Sequence, residues 1–141
     1  MLGHPLHPAV VHFPIALLLS ATAADVAWVA GITGDTHLGA VLMAAGLVMG
    51  LVAMAAGLVD FVRLDEALVP HAMRHMAAVG AAWLGYAVAL YLRRDVFSGA
   101  EAVGFASLAL SFGSACVLAL GGWLGGRLVY TFGAGVNPIR R

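Results

Sequence analysis

Four long apolar segments, separated by short polar stretches, make up most of this 141-residue chain. They cover about 8–31, 38–61, 71–92 and 100–124, and the last can continue to 130. As helices rising about 1.5 Å per residue, all four are long enough to cross a hydrocarbon core of roughly 30 Å. Short connections between four spans predict an all-α integral membrane protein, an antiparallel up-down four-helix bundle that forms one domain over 1–141.

Composition supports a place in the lipid bilayer. The chain is 62% hydrophobic and only 10% charged, with a mean hydropathy of +0.98, so it lacks the polar surface of a soluble domain. Lysine is absent, and seven arginines balance seven acidic residues. Without a basic face, a role in binding nucleic acid is excluded.

Arginine placement predicts the orientation in the membrane. In the up-down topology, two arginines lie at the face opposite the N-terminus, Arg93 and Arg94. Five lie at the face that holds the N-terminus, namely Arg63, Arg74, Arg127, Arg140 and Arg141. The positive-inside rule therefore predicts that both termini are cytoplasmic.

Histidines cluster in two places that this topology brings to one face. His4, His7 and His12 lie in the opening MLGHPLHPAVVHFP, and His71 and His75 lie in VPHAMRHM at the start of the third segment. The first and third helices run parallel and form the diagonal of a square bundle, roughly 11–14 Å apart. This spacing admits a porphyrin with one imidazole from each side.

Depth along the helices favours His12 and His75 as the two ligands of a haem b. Each is expected about one turn beyond the start of its helix, and His12 lies within an apolar run where an unpaired polar group is costly. His71 is an alternative to His75, one turn earlier. His4 and His7 are expected to be solvated near the membrane surface, although His7 stays among the candidate cofactor-binding residues.

Two further features of the sequence suit a cofactor. Gly46 and Gly50 form a GxxxG on the second helix, which admits a flat cofactor, packs against another helix or joins two copies in a homodimer. Arg74 and Arg127 could bind carboxylates such as haem propionates. Asp25, the charged residue inside the first segment, is either solvated at the far interface, which the sequence favours, or faces the bundle and has a partner.

Two other functions remain open from the residues alone. A non-haem site could bind zinc, copper or iron, drawing on histidines and acids: His4, His7, His12, His71, His75, Asp65 and Glu66. Alternatively, the chain is a cofactor-free structural or accessory subunit. No nucleophile–base pair or phosphate-binding loop is evident, so an autonomous enzyme is less expected than these. The sequence shows no convincing internal repeat.

Several motifs resemble those of a family of small bacterial four-helix membrane proteins classed as a domain of unknown function. They are HPLHPAVVHFPIALL at the start, AAGLVDF, a histidine early in the third helix, and GGWLGGRLVYTFGAGV at the end. The resemblance implies the fold and the bacterial inner membrane, and association with redox modules such as Rieske or c-type cytochrome domains. The sequence has no CxxCH motif, so we expect its electron partner, a quinone, cytochrome or Rieske protein, to be separate.

Overall fold

The computed structural model describes residues 6–100 and 102–135, and within them the regular structure is helical. The helices are α1 (Leu6–Val10), α2 (His12–Val29), α3 (His37–Phe61), α4 (Val69–Leu92) and α5 (Phe105–Tyr130). Four stretches are long and apolar enough to cross a membrane: His7–Val29, His37–Phe61, Glu66–Leu92 and Phe105–Tyr130. The prediction of an all-α membrane protein with four spans is confirmed.

A break at Val11 divides the first span into α1 and α2. Pro14 has no N–H to donate to the carbonyl of Val10, so the hydrogen-bond ladder loses a member just beyond the break. Val11 itself still donates to the carbonyl of His7 at 2.9 Å. The short helix α1 therefore continues the span but packs mainly against α3.

The four spans pack as two hairpins. Helix α2 packs mainly against α3, and α4 mainly against α5, while the hairpins meet where α3 contacts α4 and where α2 contacts α5. Helices α2 and α4 therefore lie across the diagonal, as the up-down topology predicts. The central core contains Leu18, Met43, Tyr86 and Leu118, and many large apolar side chains on the outer faces are exposed, as lipid contact requires.

The second hairpin repeats the first at an offset of 68 residues. Helix α3 begins at His37 and α5 at Phe105, which differ by this offset. Gly31 and Gly99, also 68 apart, both adopt positive φ, at 71° and 96°. These matching positions, in two hairpins that run in the same direction, indicate an approximate two-fold relation between the halves about an axis along the membrane normal. The halves share structural positions but few side chains, so the relation between them is not evident as a repeat in the sequence.

An ion pair lies between the hairpins at the end opposite the N-terminus. Arg93 donates through Nη1 to Asp25 Oδ1 at 2.6 Å and through Nη2 to Oδ2 at 3.0 Å. Arg93 is 2% exposed and Asp25 is 7% exposed. The expectation that Asp25 is solvated is wrong, since Arg93, placed by sequence in the connection after the third segment, extends into the bundle.

Ser107 completes the surroundings of this ion pair. Its hydroxyl accepts a hydrogen bond from Arg93 Nε at 2.8 Å and donates one to the carbonyl of Ala89 at 2.7 Å. Each charged group thus has hydrogen-bond partners, which makes its burial tolerable. The residue 68 positions before Ser107 is Gly39, where an added Cβ would lie 3.0 Å from Asp25 Oδ1. The small residue at each position leaves room for the charged side chain.

Candidate cofactor site

His7 and His75 face each other between the two hairpins at the N-terminal end of the bundle. Their ring centroids are 6.1 Å apart, and the ring planes are inclined at 79°. Both side chains belong to partly buried residues. One lies on α1 and the other on α4, so each half of the molecule contributes one imidazole to the same point.

The two imidazoles are held in the same way. His7 Nδ1–H donates to the carbonyl of Ala53 at 2.8 Å, and His75 Nδ1–H donates to the carbonyl of Gly121 at 2.8 Å. A carbonyl oxygen can only accept, so Nδ1 carries the proton in both rings. Nε2 is then the nitrogen of each ring with a lone pair for a metal, and the Nδ1 bond fixes the ring orientation.

Glycines provide the space that each ring occupies. A Cβ added at Gly57 would lie 3.1 Å from His7 Nδ1, and one added at Gly125 would lie 2.9 Å from His75 Cε1. Each glycine follows the carbonyl acceptor by four residues, which places it on the same helix face. A side chain at either position would push the imidazole away from its hydrogen-bond acceptor.

The arrangement follows the two-fold relation of the hairpins. In both halves, the histidine and its carbonyl acceptor are 46 residues apart. His7 and His75 are themselves separated by the 68-residue offset, as are Asp25 and Arg93. Residues that contact their own equivalents lie on the axis that relates the halves. The histidine pair and the ion pair therefore mark the two ends of this axis.

Two cavities adjoin the histidine pair, and both are lined by Pro8, His75 and Val129. The larger, of about 360 Å³, has mostly apolar walls and extends to the central core, where Leu18 and Leu118 line it; we call it the apolar cavity. Its lining includes His7, His12, Pro14, Gly50, Trp83 and Leu118. The second, of about 300 Å³, is also lined mainly by apolar groups, such as Ala72 and Met76, but it includes the charged residues Asp60 and Arg63 beside Gly57; we call it the polar cavity because of these two charges.

The structure brings His75 together with His7 and leaves His12 exposed on the lining of the apolar cavity. The predicted depth of His12 assumed that the helix begins near Pro8, whereas helical structure begins at Leu6. His7 is therefore already inside the span, at the depth of His75. His4 lies outside the described residues.

The other predicted cofactor-binding residues have varied surroundings. His71 stacks on Phe132 with ring centroids 4.0 Å apart. The Arg127 guanidinium lies over the Trp123 ring, 5.0 Å from its centroid. Arg74 is exposed, and neither Arg74 nor Arg127 is among the described residues that line the two cavities.

Gly46 and Gly50 both lie inside the bundle. A Cβ at Gly46 would lie 2.8 Å from Leu18 atoms, and one at Gly50 would lie 2.8 Å from Trp83 Cδ1. Both glycines are buried, so this stripe packs against the chain's own helices and is not itself available to a second copy. Gly50 also lines the apolar cavity, where Trp83 donates its indole N–H to the carbonyl of Leu47 at 3.0 Å.

The described residues contain no group of three or more His, Cys, Asp or Glu side chains placed to hold a metal ion. Of the acidic candidates, Asp65 accepts the backbone N–H of Ala67 at 2.9 Å and caps the turn Glu66–Leu68. The donor set of the site is therefore the histidine pair.

Sequence reasoning missed the four positions that hold the imidazoles. Two are Ala53 and Gly121, whose carbonyls accept the hydrogen bonds, and two are Gly57 and Gly125, which have no side chain where the rings lie. One signal was available in the sequence: aligning His7 with His75 also aligns Gly57 with Gly125 and Gly31 with Gly99. Backbone acceptors leave no side-chain signature, so the carbonyls could only be found once the helices were placed.

We expect Gly125→Ala to destabilise the fold by about 1–3 kcal/mol relative to Gly113→Ala, because the added methyl would overpack the His75 ring. Gly113 is a matched control on the same helix, since a Cβ there meets no atom within 4 Å. Alanine at Gly113 should be neutral or slightly stabilising through helix propensity. Equilibrium unfolding of both variants in detergent measures the difference, and equal stabilities would contradict the close approach.

These features define a class: a small, four-span, helical membrane protein with an imidazole pair between two similar hairpins. The chain belongs to the family described as "Predicted membrane protein (DUF2231)", whose model matches residues 3–138. The family resemblance noted from the motifs is thereby confirmed. No curated protein and no solved structure matches the chain.

Proposed function

We propose that this protein is a b-type haem protein of the bacterial inner membrane that takes part in electron transfer, with His7 and His75 as axial ligands. The single observation that carries the proposal is the pair of imidazoles, 6.1 Å apart, each with Nδ1 engaged and Nε2 available. If both imidazoles held one ion, metal–nitrogen bonds of about 2.0–2.1 Å would place their ring centroids about 6 Å apart. The spacing suits two ligands of one iron.

The number of donors also favours haem over a bare ion. Protein zinc sites use three or four side-chain ligands, whereas the described residues place two histidines together and no larger group. A porphyrin supplies four nitrogens of its own, so two imidazoles complete its iron. When bound, the haem would supply one-electron chemistry.

The protein's own contribution is to hold the imidazoles and to exclude water. The carbonyls of Ala53 and Gly121 fix the tautomer and orientation of the rings. The apolar cavity, with Pro14, Trp83 and Leu118 in its wall, would surround the apolar part of a macrocycle. His12, the ligand favoured by sequence, takes the role of a cavity wall in this proposal, while His7 takes its place as ligand.

Orientation and partners follow from the same proposal. Arg93 is neutralised by Asp25, so the free arginine charge lies mainly at the face that holds the N-terminus, which favours cytoplasmic termini. The histidine pair would then lie near the cytoplasmic face. Electrons would pass between a quinone pool or membrane dehydrogenase and a cytochrome or Rieske partner.

An absorption spectrum of the purified protein, oxidised and then reduced, tests the proposal. We expect a Soret band and the split visible bands of a low-spin haem after reduction, with about one haem per chain by extraction. A folded but colourless protein from haem-replete cells would end the proposal. Stoichiometric zinc, copper or iron without a Soret band would favour the non-haem alternative, and no bound metal would favour an accessory subunit.

A further inference from the structure

The polar cavity brings one arginine to the histidine pair. Arg63 follows the end of α3 and lines this cavity together with His75, Gly57 and Asp60. The polar and apolar cavities share Pro8, His75 and Val129, so they lie on adjoining sides of the same imidazole. A flat ligand held at His75 would extend from apolar walls into a region with charged groups.

The two charged groups of the polar cavity differ in what they already bind. Asp60 Oδ2 accepts the backbone N–H of His7 at 3.2 Å, so this carboxylate holds the start of the first span in place. Arg63 is exposed. The salt bridges within 4.0 Å among the described residues are Arg93–Asp25 and Arg94–Asp95. The Arg63 guanidinium forms none with these residues, so it is available to bind another anion.

We propose that the polar cavity is a carboxylate-binding subsite in which Arg63 binds the propionate groups of the haem. This inference rests on the proposed function and adds the direction in which the macrocycle lies. Its apolar edge occupies the apolar cavity, and its carboxylates point to the face that holds the N-terminus. A guanidinium suits this role because it binds carboxylates through paired N–H donors.

Arg63 is favoured over the two arginines that the sequence suggested. Arg127 is stacked over Trp123, and neither it nor Arg74 is among the described residues that line the polar cavity. Arg74 is exposed on α4, one residue before His75. Arg74 is therefore a matched control: an arginine at the same membrane face with the same charge but outside the cavity.

The test compares haem with haem dimethyl ester, which has the same ring and iron but no free carboxylates. Each is titrated into the purified full-length apoprotein in detergent, for the wild type, Arg63→Glu, Arg63→Gln and Arg74→Glu. We expect Arg63→Glu to weaken haem binding about tenfold and Arg63→Gln about threefold, as for exposed charge pairs. Both variants should bind the dimethyl ester as the wild type does, and Arg74→Glu should change neither affinity.

The outcomes separate the two proposals. If Arg63→Glu weakens both ligands equally, or neither, the carboxylate subsite is overturned while haem binding itself stands. Arg74→Glu should not weaken the binding of haem, relative to the dimethyl ester, as strongly as Arg63→Glu does. If it does, the effect comes from general surface charge and the subsite is again overturned. A wild type that binds neither ligand overturns the proposed function and the subsite with it. Normal binding of the dimethyl ester also shows that a variant is folded.

Discussion

Alanine in place of His7 or His75 is expected to abolish the Soret band of the purified protein, whereas His12→Ala is expected to retain it. Each substitution at the histidine pair removes one of the two imidazoles that converge at 6.1 Å, and iron with one axial ligand fewer loses its low-spin spectrum and is held weakly. His12 is exposed on the wall of the apolar cavity. Haem content per chain and the reduced spectrum measure the difference.

His12→Ala and His71→Ala are the controls for this experiment, since both remove an imidazole near the same face of the bundle. Loss of the spectrum in His12→Ala, with retention in His7→Ala, would restore the pairing that the sequence favours and contradict the one drawn from the structure. All four variants should remain monodisperse in detergent, which shows that a lost spectrum reflects a lost ligand.

Removing one partner of the buried ion pair is expected to have the largest effect on stability. Asp25→Ala leaves the guanidinium of Arg93 buried and without its carboxylate, and such a loss typically costs about 3–5 kcal/mol. The pair also joins the two hairpins, so the loss should weaken their association. Equilibrium unfolding in mixed micelles measures the change in free energy of unfolding.

The chain contains its own matched control for this experiment. Arg94 and Asp95 also form an arginine–aspartate pair, at 3.9 Å, but their side chains are 57% and 76% exposed. Asp95→Ala should therefore change the free energy of unfolding by less than about 1 kcal/mol. The double replacement Asp25→Leu with Arg93→Met should cost less than Asp25→Ala, because no charge is left unpaired. Equal effects of Asp25→Ala and Asp95→Ala would contradict the role assigned to burial.

The fold was predictable because a membrane span needs only length and hydropathy. Residues 38–61 and 71–92 were predicted as helices, and α3 and α4 cover His37–Phe61 and Val69–Leu92. The diagonal placement of the first and third spans also followed from short connections alone. Both results depend on properties summed over some twenty residues, which single substitutions hardly alter.

The details of the site depended on the rotation of each helix about its axis and on the depth of each residue in the membrane. A hydropathy pattern fixes neither. The start of the first helix was predicted near Pro8, two residues later than the helical structure at Leu6. This difference placed His7 outside the predicted span and left His12 as the favoured ligand. Asp25 was misplaced for a similar reason, since its partner Arg93 lies just after the last residue of α4 and was predicted only to lie at the far membrane face. In each case, the correct contact joins residues from different halves of the chain, and no local pattern encodes it.

The ion pair of Asp25 and Arg93 has a consequence for which hairpins can pair with each other. The two residues occupy equivalent positions in the two hairpins and contact each other on the axis that relates them. A homodimer of the first hairpin would bring two aspartates to this point, and a homodimer of the second would bring two arginines. Unlike charges on a symmetry axis require two different subunits. Joining two different hairpins in one polypeptide meets this requirement and makes each half the specific partner of the other. The histidine pair alone would be compatible with two identical hairpins.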